Sequence, residues 1–524
     1  MTTEEKQYPV GAERAILVFT AISAALLQLI DTSIVNVSLR EISGSIGATT
    51  SEIAWTVTSY AISNVIMIPL SGMLGDLFGR KRYFTISILI FTVASLFCGL
   101  SNSLWMLVFW RFVQGIGGGA LLTTAQSIIV EAFPPEKLNI ANAIFGMGLI
   151  MGPTFGPTLG GYLTDNYSWH WIFYINVPIG LLAAYLSWTF VSNREGARRP
   201  ERIDWAGIGL LILAIGTLQF VLEEGRSLDW FESREIVILT ILAVAGMAGF
   251  IWREWTFDHP AVKLRLLTNW NLALGTILSF VVGVILFATV FVFPLFVQIG
   301  LGWSATKTGN FMIPGALATA VTMGFTGRLL SKGTNPKAIM VIGTIMVFLF
   351  AAMMSFSSPD SSESEFFWPF ILRGIGMAFM MSPVMALSLQ GISPMDIPQA
   401  AGINNMIRQL GGAIGVALMT VVLESRNAVN YDYLLQQMSE YSEITQNRLN
   451  MIAMNFQSQG YFSEDARQIA YRLMERSLFR QESLVSYNNI FWAVAISVLF
   501  CLPIIFLIRR DKKVPAVKAE VHIE

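Results

Sequence analysis

Fourteen apolar runs, each close to the length a helix needs to cross a bilayer, constrain this chain more than anything else in it. Crossing the hydrocarbon takes about 20 apolar residues. Runs of that kind cover 15–38, 53–74, 83–101, 104–130, 139–163 and 170–191. A pair follows at 204–222 and 235–253, and six more cover 271–298, 308–330, 337–356, 367–390, 400–423 and 487–508. Composition agrees: 13% of residues are charged, where a soluble domain carries about 25%. The expectation is an all-α polytopic membrane protein with 14 transmembrane helices.

Even parity puts both termini on one side, and the positive-inside rule chooses it. With the N-terminus in the cytoplasm, the inner loops hold Arg80-Lys81-Arg82, Lys137, Arg194, Arg198, Arg199, Arg202, Lys263, Arg265, Lys332 and Lys337, and the tail adds Arg509, Arg510, Lys512 and Lys513. The short outer loops hold little beyond Arg40, Arg226, Arg234 and Lys307. The first run follows a polar stretch with no clear cleavage site, so it reads as a retained helix.

A net charge of −1 leaves no basic footprint for nucleic acid. Cys98 and Cys501 both fall in apolar runs, so no disulfide framework is indicated. The three histidines form no metal-ligand spacing, and no metal or other cofactor is expected. Gly115-x-Gly117-x-x-Ala120 resembles a dinucleotide fingerprint but lies mid-membrane with no strand before it. No G-x-x-x-x-G-K-[ST] sequence occurs, which leaves an ion gradient rather than ATP as the energy source.

The chain repeats itself. Gln114-Gly115-Ile116-Gly117 opens a stretch ending at Phe133-Pro134-Pro135, and Arg373-Gly374-Ile375-Gly376 opens one ending at Ile392-Ser393-Pro394. Gly75-Asp76-Leu77 after span two is echoed by Gly327-Arg328-Leu329 after span ten. Spans 1–6 and 9–14 therefore read as parallel repeats around an inserted pair, a 6+2+6 layout. The boundaries are 1–191 for the first bundle, 192–270 for the linker with its two helices, and 271–524 for the second bundle. Carriers built this way bind substrate between the halves near the midplane.

Within these runs Asp31 stands out. A carboxylate that deep in hydrocarbon costs roughly 2.5–3.5 kcal/mol on insertion scales, and no other span carries an acid away from its ends. Arg111 lies at the same depth, both about 10 Å inside the outer boundary at 1.5 Å per residue. The two can pair if their helices adjoin. Burial disfavours the charged carboxylate and a nearby guanidinium favours it, so a group balanced between the two can take and release a proton.

Four stretches carry a family resemblance: Leu29-Ile30-Asp31-Thr32-Ser33-Ile34-Val35-Asn36-Val37, Gly75-Asp76-Leu77-Phe78-Gly79-Arg80-Lys81-Arg82, Arg111-Phe112-Val113-Gln114-Gly115, and Gly152-Pro153-Thr154-Phe155-Gly156-Pro157-Thr158-Leu159-Gly160-Gly161. Trp171 to Pro178 and Leu228-Asp229-Trp230-Phe231 strengthen it. The chain resembles the major facilitator superfamily, in particular its fourteen-helix drug:proton antiporters of the EmrB/QacA type. The resemblance implies a proton-driven multidrug exporter, not an enzyme, that moves hydrophobic or amphipathic compounds out through the bacterial inner membrane. It implies proton coupling at Asp31 and Arg111, and a charged cytoplasmic gate formed by Gly75, Asp76, Gly79 and Arg80, with Glu131 a second possible partner for Arg80. A proton-coupled uptake symporter shares the fourteen-helix layout, and Glu13-Arg14 is similar to part of its first-helix motif. The upstream Glu is missing, however, and the glycine stretch in span five argues against uptake. A non-transporting membrane sensor is a third reading.

Gly148, Gly152, Gly156 and Gly160 recur every four residues, with Gly161 beside them, so one face of span five is smooth. Pro153 and Pro157 each remove a backbone donor. This face is expected to be a sliding seam between the halves. Asn36, Gln126, Asn404 and Arg408 are candidate cavity residues, Arg408 foremost because a buried cation needs a partner. Residues 424–486 are polar and read as an outer hairpin, one helix near 432–456 and a second from Ser463 with Ala466, Ile469 and Leu473 on its apolar face. By resemblance it docks a periplasmic adaptor leading to an outer-membrane channel; the alternative is a self-packed cap over the outer mouth.

Overall fold

The computed structural model describes residues 8–134, 137–193, 203–359, 361–393, 395–438 and 442–508. The basic cluster 194–202 and the tail from 509 lie outside the described residues, as do the side chains of Arg40 and Pro153. Among the described residues the chain is helical, with no strand. The first part comprises α1 (Gly11–Ile46), α2 (Thr50–Phe78), α3 (Arg80–Gly99), α4 (Leu104–Glu131), α5 (Leu138–Asn166), α6 (Trp171–Tyr174) and α7 (Asn176–Phe190). Next come α8 (Trp205–Glu224) and α9 (Arg234–Thr256). The rest comprises α10 (Trp270–Leu295), α11 (Ala305–Ser331), α12 (Pro336–Met354), α13 (Glu363–Ser388), α14 (Ile397–Gln437), α15 (Glu443–Ser458), α16 (Ser463–Leu499) and α17 (Cys501–Leu507).

Twelve helices among the described residues are long and apolar enough to cross a membrane. The other two expected crossings, α5 and α11, are 29 and 27 residues long. Ile140–Leu149 of α5 is an apolar stretch. Both are rich in Gly and Thr, and both are packed between other helices: α5 lies between α1 and α11, and α11 between α5 and α13.

The packing is two-fold in character. α1 to α7 pack among themselves, and so do α10 to α14 with α16. The two groups meet where the second helix of each packs on the fifth of the other, α2 on α14 and α11 on α5. At α2/α14 a Cβ on Gly72 would lie 3.2 Å from Gln399, and one on Gly402 would lie 3.3 Å from the Ile68 carbonyl. α8 and α9 sit at the periphery: 22% of α9's apolar stretch is buried, against 67% for α13. They are pinned rather than loose. Asp204 caps α8 at the Gly207 N–H and accepts from the Arg253 guanidinium. At the other end the Thr58 hydroxyl of α2 donates to Glu224 (3.0 Å) and Arg226 pairs with Glu424 of α14.

The segment 424–486 differs from the expected hairpin. α14 runs 41 residues without a break to Gln437, and α16 runs 37 from Ser463 straight into its apolar half. Only α15 is separate, so the single helix expected near 432–456 is divided. The turn falls where expected, at Gly460 (φ 97°), and Glu464 and Asp465 occupy the first turn of α16. On α16, Ala470 and Met474 pack with Leu449 and Ala453 of α15, Ala466 is buried, and Leu473 is exposed.

Candidate functional site

The run Gly115, Gly117, Gly118, Gly119 makes the site possible. A Cβ on Gly115 would lie 2.6 Å from the Tyr60 carbonyl, and one on Gly117 would lie 2.6 Å from the Phe91 nitrogen. Without side chains there, α2 and α3 close onto opposite flanks of α4. That approach brings the Tyr60 ring to 4.1 Å from the Arg111 guanidinium carbon and the Thr56 carbonyl to 3.2 Å from Arg111 Nε.

Arg111 Nη1 donates to Asp31 Oδ2 at 2.5 Å, so the depth match does correspond to contact. Three other groups complete the arrangement. Gln114 Nε2 donates to Asp31 Oδ1 at 2.9 Å, Asn176 Nδ2 donates to the same oxygen at 3.0 Å, and Arg111 Nη1 also donates to Gln114 Oε1 at 2.8 Å. Asn176 is oriented in turn by the Ser95 hydroxyl at 3.0 Å, whose own proton goes to the Phe173 carbonyl. Asp31 is 0% exposed and Arg111 1%. A buried pair recovers its desolvation cost only when its remaining donors and acceptors are satisfied, and here both carboxylate oxygens are. All of these partners come from α1, α2, α3, α4, α6 and α7, so the pair lies wholly inside the first helix group.

Sequence reasoning did not single out Gln114, Asn176, Tyr60 or Thr56. Gln114 carried a signal, being one turn from Arg111 on the same helix face. Asn176 carried a weaker one, a polar residue inside an apolar run. A main-chain carbonyl such as that of Thr56 carries none.

At the loop end of α2, Arg80 forms an ion pair with Glu131 rather than with Asp76, and its Nη2 donates to the Ser192 carbonyl. Gly79 adopts φ 84°, a left-handed conformation suited to glycine, and a Cβ there would meet Asn193 Oδ1 at 3.0 Å. Asn193 accepts from the Lys81 N–H. Three chain ends, those of α2, α4 and α7, are tied at one point. Gly75 and Asp76 line the adjoining cleft with Ser71, Thr123, Thr124 and Ser127.

The glycine stripe of α5 does not face the other half, which corrects the expected seam. It faces α1. A Cβ on Gly152 would meet Leu29 Cβ at 2.2 Å, one on Gly156 would meet Ser33 Oγ at 1.8 Å, and one on Gly160 would meet Ile34 at 2.8 Å. Gly148 is in ordinary contact with Ile22, and Gly161 meets nothing within 4 Å. A different face of α5 touches α11, through Gly146 against Met323 and Thr158 against Gly309. Spacing of four marks a close approach without saying to which helix. Pro157 stands within the same helix.

Of the four candidate cavity residues, Asn36 is exposed on α1. Gln126 accepts from Asn405 Nδ2 at 2.9 Å, a bond between the two halves. Asn404 Nδ2 donates to Ser388 within its own half. Arg408 is buried, and among the described residues no hydrogen bond or ion pair engages its guanidinium. Among the described residues no cluster of side chains could hold a metal ion.

The profile of the Major Facilitator Superfamily matches residues 21–416. The chain is 32% identical to the multidrug export protein EmrB of Escherichia coli K12, over 94% of both chains. It is 31% identical to the protein of that name in Haemophilus influenzae, over 95% of this chain and 96% of the relative. It is 29% identical to the fatty acid resistance protein FarB of Neisseria gonorrhoeae, again over 95% and 96%. Among solved structures, a bacterial homologue of the human lysosomal transporter Spinster, inward-facing and unoccupied, superposes with TM-score 0.56 at 16% identity, covering 97% of this chain and all of the other.

Proposed function

The chain belongs to the major facilitator superfamily, and on that premise we propose that it is a proton-driven multidrug exporter. It would exchange protons for hydrophobic or amphipathic compounds. The single observation that carries this reading is the buried Asp31–Arg111 pair, whose other partners among the described residues are neutral groups. Protonating Asp31 removes the negative charge that holds Arg111. The guanidinium then rests on Gln114, the Thr56 carbonyl and the Tyr60 ring, and α1 is freed to shift against α4. α5 carries that shift to the other half, because it is packed against the Asp31 segment on one face and α11 on another. Alternation between the two packings moves the substrate.

In this reading α5 and α11 also cross the bilayer, for fourteen crossings as 6+2+6. The bundles are 1–191 and 271–524, with the inserted pair in 192–270. The Arg80–Glu131 end faces the cytoplasm, as its basic residues demand, with Asp76, Gly75 and Gly79 in the gate there. The membrane is the bacterial inner membrane. The extended outer helices within 424–486 serve an adaptor protein that leads to an outer-membrane channel. Support for export over uptake comes from the relatives, named for multidrug export and fatty acid resistance.

The test is Asp31→Asn in proteoliposomes. The variant is expected to purify as a folded protein and to bind substrate, yet to lose uphill movement driven by an imposed pH gradient. Wild-type export by this variant would overturn the proposal.

A further inference from the structure

The base of the inserted pair holds two buried acids and one cation. Asp204 and Glu254 are 2% and 0% exposed. Gly207 of α8 lets them approach: a Cβ there would lie 2.7 Å from Asp204 Oδ2 and 2.8 Å from Glu254 Oε1, so the two oxygens flank one glycine. Their surroundings differ. Asp204 caps α8 through the Gly207 N–H at 2.9 Å, where the helix N-terminus favours an anion. Both of its oxygens also accept from Arg253, at 3.0–3.1 Å. Glu254 stands in the last turn of α9, where the helix dipole disfavours an anion. Its Oε2 accepts from the Val262 N–H at 3.1 Å, and among the described residues its buried Oε1 has no hydrogen-bond partner.

Ionised, Glu254 would be a buried anion beside a second anion, and the nearby cation is already engaged by Asp204. Asp204 and Arg253 are the charged groups that act on Glu254. In the segment after α9, Lys263 turns to Asp396 and Arg265 to the Trp255 carbonyl, while Asp258 and His259 are exposed. A proton on Oε1 removes the repulsion and gives that oxygen an O–H to direct toward Asp204 Oδ2. The segment held by Glu254 touches both halves: Ala261 and Val262, each 0% exposed, share one apolar cluster with Ile68 and Leu70 of α2 and Ile403 and Met406 of α14.

We propose that Glu254 is a second proton-binding site, separate from Asp31, and that its proton holds the segment after α9 in place against α2 and α14. The Glu224 end of α8 meets Thr58 near the start of α2, so this site lies toward the Arg80 end of the molecule. It rests on the export reading only for calling that end cytoplasmic. Loss of the proton leaves two anions across Gly207. Hydrating Glu254 relieves them and draws it away from Val262. The packing binds the proton more tightly than water-exposed glutamate does, so it is stabilised at low pH and loosens as pH rises.

The experiment is infrared difference spectroscopy of the purified full-length protein in maltoside detergent, in an Asp31→Asn background so that Asp31 contributes nothing. A protonated-carboxyl C=O stretch is expected at neutral pH, where a glutamate with the ordinary value of about 4.3 is ionised. It should fade as pH is raised and be missing when Glu254→Gln is added. Asp204→Asn keeps a capping side chain on α8 and removes the neighbouring charge. The band should then fade at lower pH, with proton affinity down about tenfold or more. Trypsin cleavage after Lys263 should quicken with pH relative to the Glu254→Gln protein, whose amide stands in for the protonated acid. Absence of a Glu254 band, or a band indifferent to Asp204→Asn, would overturn the proposal. Identical pH dependence of cleavage with and without Glu254→Gln would overturn the role of the proton in holding the segment. A band abolished by magnesium would make the two acids a metal site and overturn the proton assignment. If Glu254→Gln does not fold, the response of the band to Asp204→Asn decides. A Glu254 band in a chain whose wild type moves substrate without regard to a pH gradient would sink the antiporter reading and leave this site standing.

Discussion

Gly152→Ala is the sharpest perturbation this packing offers. The new Cβ would fall 2.2 Å from Leu29 Cβ and 3.1 Å from the Leu29 carbonyl carbon. Neither atom can rotate away, because one is fixed to the backbone and the other belongs to it. Ordinary carbon contact is about 3.5–4.0 Å, so α1 and α5 must separate locally by about 1.3–1.8 Å. Overpacking of this kind costs about 1–3 kcal/mol. Leu29 is two residues from Asp31, whose bond to Arg111 is 2.5 Å long. A shift of that size carries the carboxylate beyond hydrogen-bond reach unless α4 follows. The expected outcome is a lowered melting temperature in detergent together with loss of pH-driven transport. Gly161→Ala is the control on the same helix, since nothing lies within 4 Å of its Cβ, and Gly148→Ala, with its nearest contact at 3.7 Å, serves as a second. Gly152→Ala with wild-type stability and transport, or Gly161→Ala equally damaged, would refute the reasoning.

Two further outcomes follow from contacts at the Arg80 end and between the halves. Glu131→Gln removes the charge facing Arg80 in a half-dry site (13–14% exposed); a loss of about 1–3 kcal/mol is expected, read as faster trypsin cleavage near Arg80, and an unchanged digestion profile would count against a latch. Asn405→Ala deletes a single neutral bond between the halves, worth about 0.5–1.5 kcal/mol. It should shift the equilibrium between packings roughly two- to tenfold, visible as a change in distance distribution between spin labels on α2 and α14; an unaltered distribution would show that the bond does not bias the halves.

What could be read from the chain alone follows from what is local. Asp31 announced itself because its cost in hydrocarbon depends on depth, and depth follows from run length. Gln114 and Asn176 could be read only as polar residues on apolar helices, since an amide has many conceivable partners and only the approach of α1 to α4 and α7 selects one. The α5 glycines declared a close neighbour without naming α1. The polar segment 424–486 hid the continuity of α14 and α16 with their apolar halves, because a helix can change composition along its length without changing its backbone.

Run length, charge asymmetry and the order of the motifs thus determined an all-helical membrane carrier with one ionisable pair at matching depth. Tertiary structure alone decided that the pair closes inside one half, that the glycine face turns to α1, and that Arg408 remains without an acid. Hydropathy is a property of each segment by itself, whereas the partner of a buried charge depends on which helix faces come together.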